Sequence, residues 1–120
     1  MATLLLIEDE KVLRENTRDL LKVFGFECLI VENGHQALEL LKGFKPDMII
    51  CDIMMPGIDG YQTKHEINQD LELMNIPFIF LSGKTAVYDV NYGFALGGGG
   101  YVTKPFKIKD LIEVIRENLT

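Results

Sequence analysis

Short, continuous apolar runs recur along the chain at Leu4 to Ile7, Cys28 to Val31, Met48 to Cys51, Phe78 to Leu81 and Tyr101 to Thr103. They do not alternate with polar residues, and that is the pattern of strands covered on both faces, as in a parallel sheet. The segments between them have helical spacing. Leu13, Leu20, Leu21 and Phe24 fall on one stripe ahead of Gly25, a residue suited to ending a helix in the left-handed conformation. Asn33 and Gly34 suit a helix start for Ala37, Leu38 and Leu41, and Gly43 closes that segment. Asp59 is placed to cap a third helix that must end before Pro77. Lys84 to Leu96 predicts a fourth, and Ile108, Leu111, Ile112, Ile115 and Leu119 predict a fifth on one apolar stripe.

Five strands alternating with five helices predict an α/β fold of the (βα)5 type. Right-handed crossovers then impose an open, doubly wound, five-stranded parallel sheet with helices on both faces. Sites in such sheets lie at the carboxyl ends of the strands. There the first strand runs into Glu8 and Asp9, the third into Asp52, the fourth into Ser82, and the fifth into Thr103, Lys104 and Pro105. With the first, third, fourth and fifth strands as neighbours, three carboxylates, a hydroxyl and an ammonium share one rim. Like charges a few Å apart repel by roughly 1 kcal/mol in water and by several times that in a partly buried site, so the acids need compensation. A hard divalent cation supplies it, because Mg²⁺ takes oxygen ligands and is usually held by one or two carboxylates plus a phosphate. Lys104 can pair with a phosphate as a point charge, and Ser82 can donate to a phosphoryl oxygen. Ser82 and Gly83 also precede the fourth helix, whose first amides favour an anion. The set points to an oxyanion beside a metal.

Composition narrows the rest. The chain has 120 residues, 48% of them hydrophobic, which predicts one folded domain over residues 1–120 and argues against disorder. With 18 acids against 12 Lys plus Arg, the formal charge is −6, an argument against a nucleic-acid-binding face and against a polybasic membrane surface. No apolar stretch approaches the ~18 residues that span a membrane. The first run ends at once in Glu8, Asp9 and Glu10 with no basic residue before it, unlike a secretory signal, so the expected location is cytoplasmic. Cys28 and Cys51 lie inside apolar segments and are expected to be buried free thiols, since two cysteines make neither a disulfide framework nor a metal site. His35 and His65 are expected to face solvent.

Four segments now stand in order at the strand ends: Leu5 to Glu10, Asp52 with Met54 to Gly60, Leu81 to Lys84, and Tyr101 to Phe106. Together they resemble the receiver domain of two-component response regulators, and the resemblance covers the whole chain. It implies a flavodoxin-like fold with strand order 2-1-3-4-5, the order of the chemotaxis member of the family. It implies that Asp52 accepts a phosphoryl group from a sensor histidine kinase or phosphotransfer protein. Asp9 and Asp52 would ligate Mg²⁺ with the main-chain carbonyl of Met54, and Glu8 would act through metal-bound water. Lys104 would pair with the phosphoryl oxygens, Ser82 would move toward them, and Tyr101 would swing inward behind it. A cis bond is expected before Pro105. Met54 and Lys84 match positions that tune the lifetime of the phosphoryl group. The function implied is a phosphorelay switch that acts on a downstream output domain or protein. Such a protein is not a conventional enzyme, although it catalyses its own phosphorylation from small phosphodonors and its own dephosphorylation.

The run Gly97 to Gly100 departs from the family, which often has alanine and then acidic or asparagine residues there. Gly97 is expected to end the fourth helix. No helix and no Lys-Ser/Thr follows the run, which argues against a phosphate-cradling loop. Without acids at Gly99 and Gly100, an ion-paired dimer through the fourth helix, fifth strand and fifth helix is not expected, leaving a monomer or weak dimer. Tyr88 and Tyr92, four residues apart, form a partner-binding face or simply pack. Three competing readings fit less well. An aspartate-dependent phosphohydrolase would want a second acid where Met54 stands. A flavin carrier would want a Gly- and Ser/Thr-rich loop in place of Glu8 to Glu10. A receiver-like scaffold that takes no phosphate would not need the intact set.

Overall fold

A computed structural model describes residues 1–83 and 87–119, with side chains for all of these except residues 87–89. The elements alternate as expected: β1 (Thr3–Ile7), α1 (Lys11–Val23), β2 (Glu27–Val31), α2 (Gly34–Leu40), β3 (Met48–Asp52), α3 (Gly60–Ile67), β4 (Phe78–Ser82), α4 (Val87–Ala95), β5 (Gly100–Thr103) and α5 (Ile108–Asn118). Lys84 and the expected start of the fourth helix lie outside the described residues, as does the side chain of Tyr88. The five strands form a parallel sheet in the order β2-β1-β3-β4-β5. Their register sets Ile7 beside Cys51, Asp52 beside Leu81 and Ser82 beside Thr103. The last residues of the four strands therefore finish at one edge.

Alternation along each buried strand splits the core in two. Leu4, Leu6, Met48, Ile50, Ile79 and Leu81 face one side, against Leu21 of α1 and Leu111, Ile112 and Ile115 of α5. Leu5, Ile7, Ile49, Cys51, Phe78 and Phe80 face the other, against Ala37 of α2 and Tyr61 and Ile67 of α3. This is why the strands read as uninterrupted apolar runs.

The helix ends follow the turn residues. The Asn33 side chain accepts from the Gln36 N–H at 2.8 Å, and Asp59 and Gln62 cap α3 reciprocally. Gly25 has φ +93°, with Gly25 N–H bonded to Lys22 and Phe26 N–H to Leu21, the two bonds of a Schellman turn. Gly97 (φ +99°) does the same for α4, with bonds from Gly97 to Phe94 and from Gly98 to Gly93. At Gly98 and Gly100 glycine is a packing requirement. A Cβ on Gly98 would lie 2.6 Å from the Phe80 ring and 2.9 Å from the Gly93 carbonyl, and one on Gly100 would lie 2.5 Å from Val114. A Cβ on Gly99 would meet the Asn118 side chain.

Several expectations need correction. Of the α1 stripe only Leu21 is fully buried, joined by Thr17, while Leu20 and Phe24 are more than two-fifths exposed. These two sit at the helix margin, where Leu20 lines a groove with Pro105 and Phe106, and Phe24 lines one with Ile112. α2 stops at Leu40, three residues short of Gly43, and Leu119 lies one residue past α5. Cys28 is only half-buried because β2 is an edge strand, whereas Cys51 is buried; both are free thiols. His35 and His65 are exposed as expected. Among the described residues no helix is long and apolar enough to cross a membrane.

Lys64 of α3 is 1% exposed. Its Nζ donates to the Met74 carbonyl at 3.0 Å and lies 5.7 Å from the centre of the Phe78 ring. Among the described residues no carboxylate pairs with it, and burial pulls its pKa below the usual lysine range. Between that lowered value and the ordinary one, the unfolded chain binds more protons than the folded chain, so Lys64 makes stability rise with pH. Lys64→Met removes this contribution. Chemical denaturation at pH 7 and pH 10 should therefore show a stability difference, Met variant minus wild type, that is more positive at pH 7. A difference independent of pH would show that the ammonium carries no burial penalty.

Candidate functional site

The β1–α1 turn presents two acids. The Glu8 N–H donates to the Val31 carbonyl at 3.1 Å, continuing the ladder one residue past β1. Its side chain, in a residue 1% exposed, is held at both oxygens: Oε2 accepts from the Glu10 N–H at 3.1 Å, and Oε1 accepts from Lys104 Nζ at 2.5 Å. Asp9 next to it is exposed. Asp52 ends β3 and is buried, with Oδ2 3.1 Å from the same Lys104 Nζ. Each of Glu8, Asp9 and Asp52 offers an oxygen within 4.8 Å of the others.

Neighbouring elements fix these groups in place. The Lys104 N–H donates to the Ser82 carbonyl at 2.9 Å, and the Lys104–Pro105 bond is cis, as expected. Ser82 is buried at the end of β4. α3 begins hard against β3: a Cβ on Gly60 would lie 2.6 Å from the Asp52 carbonyl and 2.8 Å from Ile53 Cα, so only glycine lets the helix start there. Met54, two residues past Asp52, is 60% exposed. Tyr101 is half-buried, its ring 6.4 Å from that of Phe80. One contact escaped the sequence reading. Arg14 Nη1 donates to the Glu8 carbonyl at 2.9 Å and to the Asp9 carbonyl at 3.3 Å; the only signal was a cation one helical turn beyond the acidic pair.

Burial and crowding govern the electrostatics. Burial pushes the Glu8 carboxyl up to about 7 although its bond to Lys104 works against this. Burial also raises Asp52, with Lys104 pulling it back and Asp9 adding to the rise. For Lys104 burial acts to lower the pKa, but its bonds and attraction to Glu8 and Asp52 outweigh that and the net shift is upward. One ammonium thus bridges two acids, and among the described residues no cation pairs with the third. The donors are all carboxylate oxygens, which suits a hard cation such as Mg²⁺. The adjacent Cys51 thiol is buried with its pKa pushed well above the usual value, and does not join the donor set.

The model of the response regulator receiver domain matches residues 4–116. The chain belongs to this family. PhoB, the phosphate regulon transcriptional regulatory protein of Pseudomonas aeruginosa, is 34% identical over 110 residues, covering 92% of this chain and 48% of PhoB. The chain spans about half the length of several curated relatives that it matches. The chemotaxis protein CheY4 of Vibrio cholerae superposes with a TM-score of 0.94 at 25% identity, over 99% of both chains. The receiver domain of sensor histidine kinase PA1611 of Pseudomonas aeruginosa, solved with a magnesium ion in its active-site cleft, gives 0.89 at 26% identity, over 98% of this chain and 97% of that one. The receiver described here therefore has the phosphorelay signalling role of its family. Of its expected site residues, Glu8, Asp9, Asp52 and Lys104 form one cluster with Ser82 at the neighbouring strand end. Lys84 lies outside the described residues.

Removing the shared ammonium should leave two buried carboxylates facing each other. Lys104→Met is expected to cost the metal-free receiver about 2 kcal/mol, read from urea denaturation in the presence of a chelator. An unchanged midpoint would mean that Lys104 does not hold the cluster together.

Proposed function

We propose that Asp52 is the phosphoryl acceptor of this receiver, taking the group from a sensor histidine kinase or phosphotransfer protein in a Mg²⁺-dependent reaction. The observation that carries this is the Asp52 carboxylate on Lys104 Nζ at 3.1 Å, inside a cluster of three acids. Asp9 and Asp52 would hold the metal with the Met54 main-chain carbonyl, and Glu8 would reach it through water. Bound there, Mg²⁺ supplies the positive charge that lets a phosphoryl group approach three carboxylates.

An Asp52 oxygen attacks phosphorus, the bond from phosphorus to the donor breaks, and the leaving group departs with its electron pair. Lys104, held by its main chain to β4, gives up part of its contact with Asp52 and meets a phosphoryl oxygen instead. The Ser82 hydroxyl donates to another, and Tyr101 follows it inward. These charge-assisted bonds offset the added negative charge and bias the receiver toward its active surface. Exposed, apolar Met54 offers no second acid, which separates this reading from a phosphohydrolase.

The donor has a place to rest. A groove of about 420 Å³, lined by Leu13, Leu20, Pro105, Phe106 and Ile108, is shared with Lys104 itself. A protein that delivers a phosphoryl group to Asp52 would cover it with an apolar helix, which accounts for the exposure of Leu20. The reading further includes residues 1–120 as one receiver, a cytoplasmic location, a downstream output domain or protein, and no nucleic-acid or membrane face in this domain. A monomer or weak dimer suits a β5 margin where Gly99 adjoins Asn118 and Gly100 adjoins Val114. Lys84, like Met54, is read as tuning the phosphoryl lifetime.

Intact-mass measurement after incubation with Mg²⁺ and acetyl phosphate tests the assignment: one phosphoryl adduct on wild type and none on Asp52→Asn. An equal adduct on both would overturn it. Met54 presents no group that orients water. Met54→Asn should therefore shorten the phosphoryl lifetime severalfold in the same assay, and an unaltered decay rate would remove that role.

A further inference from the structure

We propose that Arg14 is a positioning residue for the acid cluster: its guanidinium pins the main-chain carbonyls of Glu8 and Asp9 and so sets the affinity of the site for Mg²⁺. This rests on the reading of the cluster as a metal site. Two of the three carboxylates come from the turn between β1 and α1, where one last backbone bond, from the Glu8 N–H to the Val31 carbonyl, closes the strand ladder. The registers of β1 with β2 and with β3 both end at Ile7. α1 receives no help at its start, since its N-cap residue Glu10 makes no side-chain capping bond and its first turn carries no acid.

Beyond that bond the turn is held by side chains. The Glu8 carboxylate closes back on the Glu10 N–H, and Arg14 Nη1 binds the carbonyls of Glu8 and Asp9 at 2.9 and 3.3 Å. Arg14 is itself anchored in the helix, its own N–H bonded to the Glu10 carbonyl at 2.9 Å. Among the described residues it makes no ion pair, so its charge is directed at main-chain oxygens beneath the acids. Fixing two consecutive carbonyls fixes the direction in which both side chains leave the turn. Groups that orient metal ligands in this way typically change affinity by roughly 10- to 100-fold when removed. A lysine keeps the charge but lacks the rigid planar fork.

The opposing effect is that a nearby cation repels Mg²⁺, and the two predict opposite signs. Mg²⁺ is titrated by calorimetry into wild type, Arg14→Met, Arg14→Lys and Arg18→Met, the last altering a partly exposed arginine of the same helix paired with Asp19. Expected are about tenfold weaker binding for Arg14→Met, an intermediate value for Arg14→Lys and wild-type binding for Arg18→Met. Arg14→Gln, which keeps an uncharged amide NH₂ donor, takes the place of the Met variant if that variant does not fold. Binding by Arg14→Met as tight as wild type or tighter, or an equal loss in Arg18→Met, overturns the proposal. Wild type that takes up no Mg²⁺ overturns the metal reading, and the Arg14 role with it; the wild-type titration distinguishes the two failures.

Discussion

Three carboxyl groups within 4.8 Å of one another are the constraint on which the rest of the structure depends. Two of them are buried, and their raised pKa values record how strongly desolvation opposes their ionisation. Such a cluster persists only if the fold fixes the backbone beneath it and brings a cation from elsewhere. The parallel sheet does both. β1 and β3 end side by side and set Glu8 and Asp9 against Asp52, while β5, two strands away, delivers Lys104 across the end of β4, where the Ser82 carbonyl ties down its main chain. An antiparallel arrangement would scatter these ends over two edges. The same crowding demands glycine at position 60, where any side chain would collide with the end of β3.

Much of this was legible because the parallel sheet writes itself plainly. Strands covered on both faces are continuous apolar runs, and the rule that sites lie at their carboxyl ends singles out Glu8, Asp9, Asp52, Ser82 and Lys104 from residue order alone. What escaped has physical reasons. Arg14 acts on main-chain carbonyls, and a bond to backbone leaves no mark on the residue that accepts it. Leu20 and Phe24 satisfy helical periodicity yet line grooves, because periodicity gives the face of a helix and not how far the neighbouring element extends over it. Lys64 reads as surface by its chemistry, although it stands three residues after Tyr61 and three before Ile67 on the buried stripe. There the spacing was the better guide, and the long stem reaching the Met74 carbonyl is what makes burial tolerable.

The glycine run stands out in the sequence as an anomaly, and only the packing explains it. Its cause is Phe80. This ring fills the space beside the end of α4, leaving no room for a Cβ at Gly98 and little at Gly93, where one would lie 3.1 Å away. A large aromatic in β4 and small residues in and after α4 are therefore two halves of one packing solution.

That solution bears on how a change at the acid cluster travels. Phe80 stands between Tyr101 and Tyr61, with ring centres 6.4 and 5.2 Å away, and Tyr61 meets Tyr92 of α4 edge-on at 4.9 Å. Phe80 is the most buried ring of the four, with the Gly93 and Gly98 backbone close against it; a packed interior shifts between discrete arrangements and does not deform smoothly. If Tyr101 turns inward as proposed, Tyr61 and the half-exposed Tyr92 have more room to respond than Phe80. The aromatic chain lies on the α3–α4 side of the sheet, whereas α1 and α5 pack on the opposite face through Leu21, Leu111 and Ile115, beside the groove at Lys104.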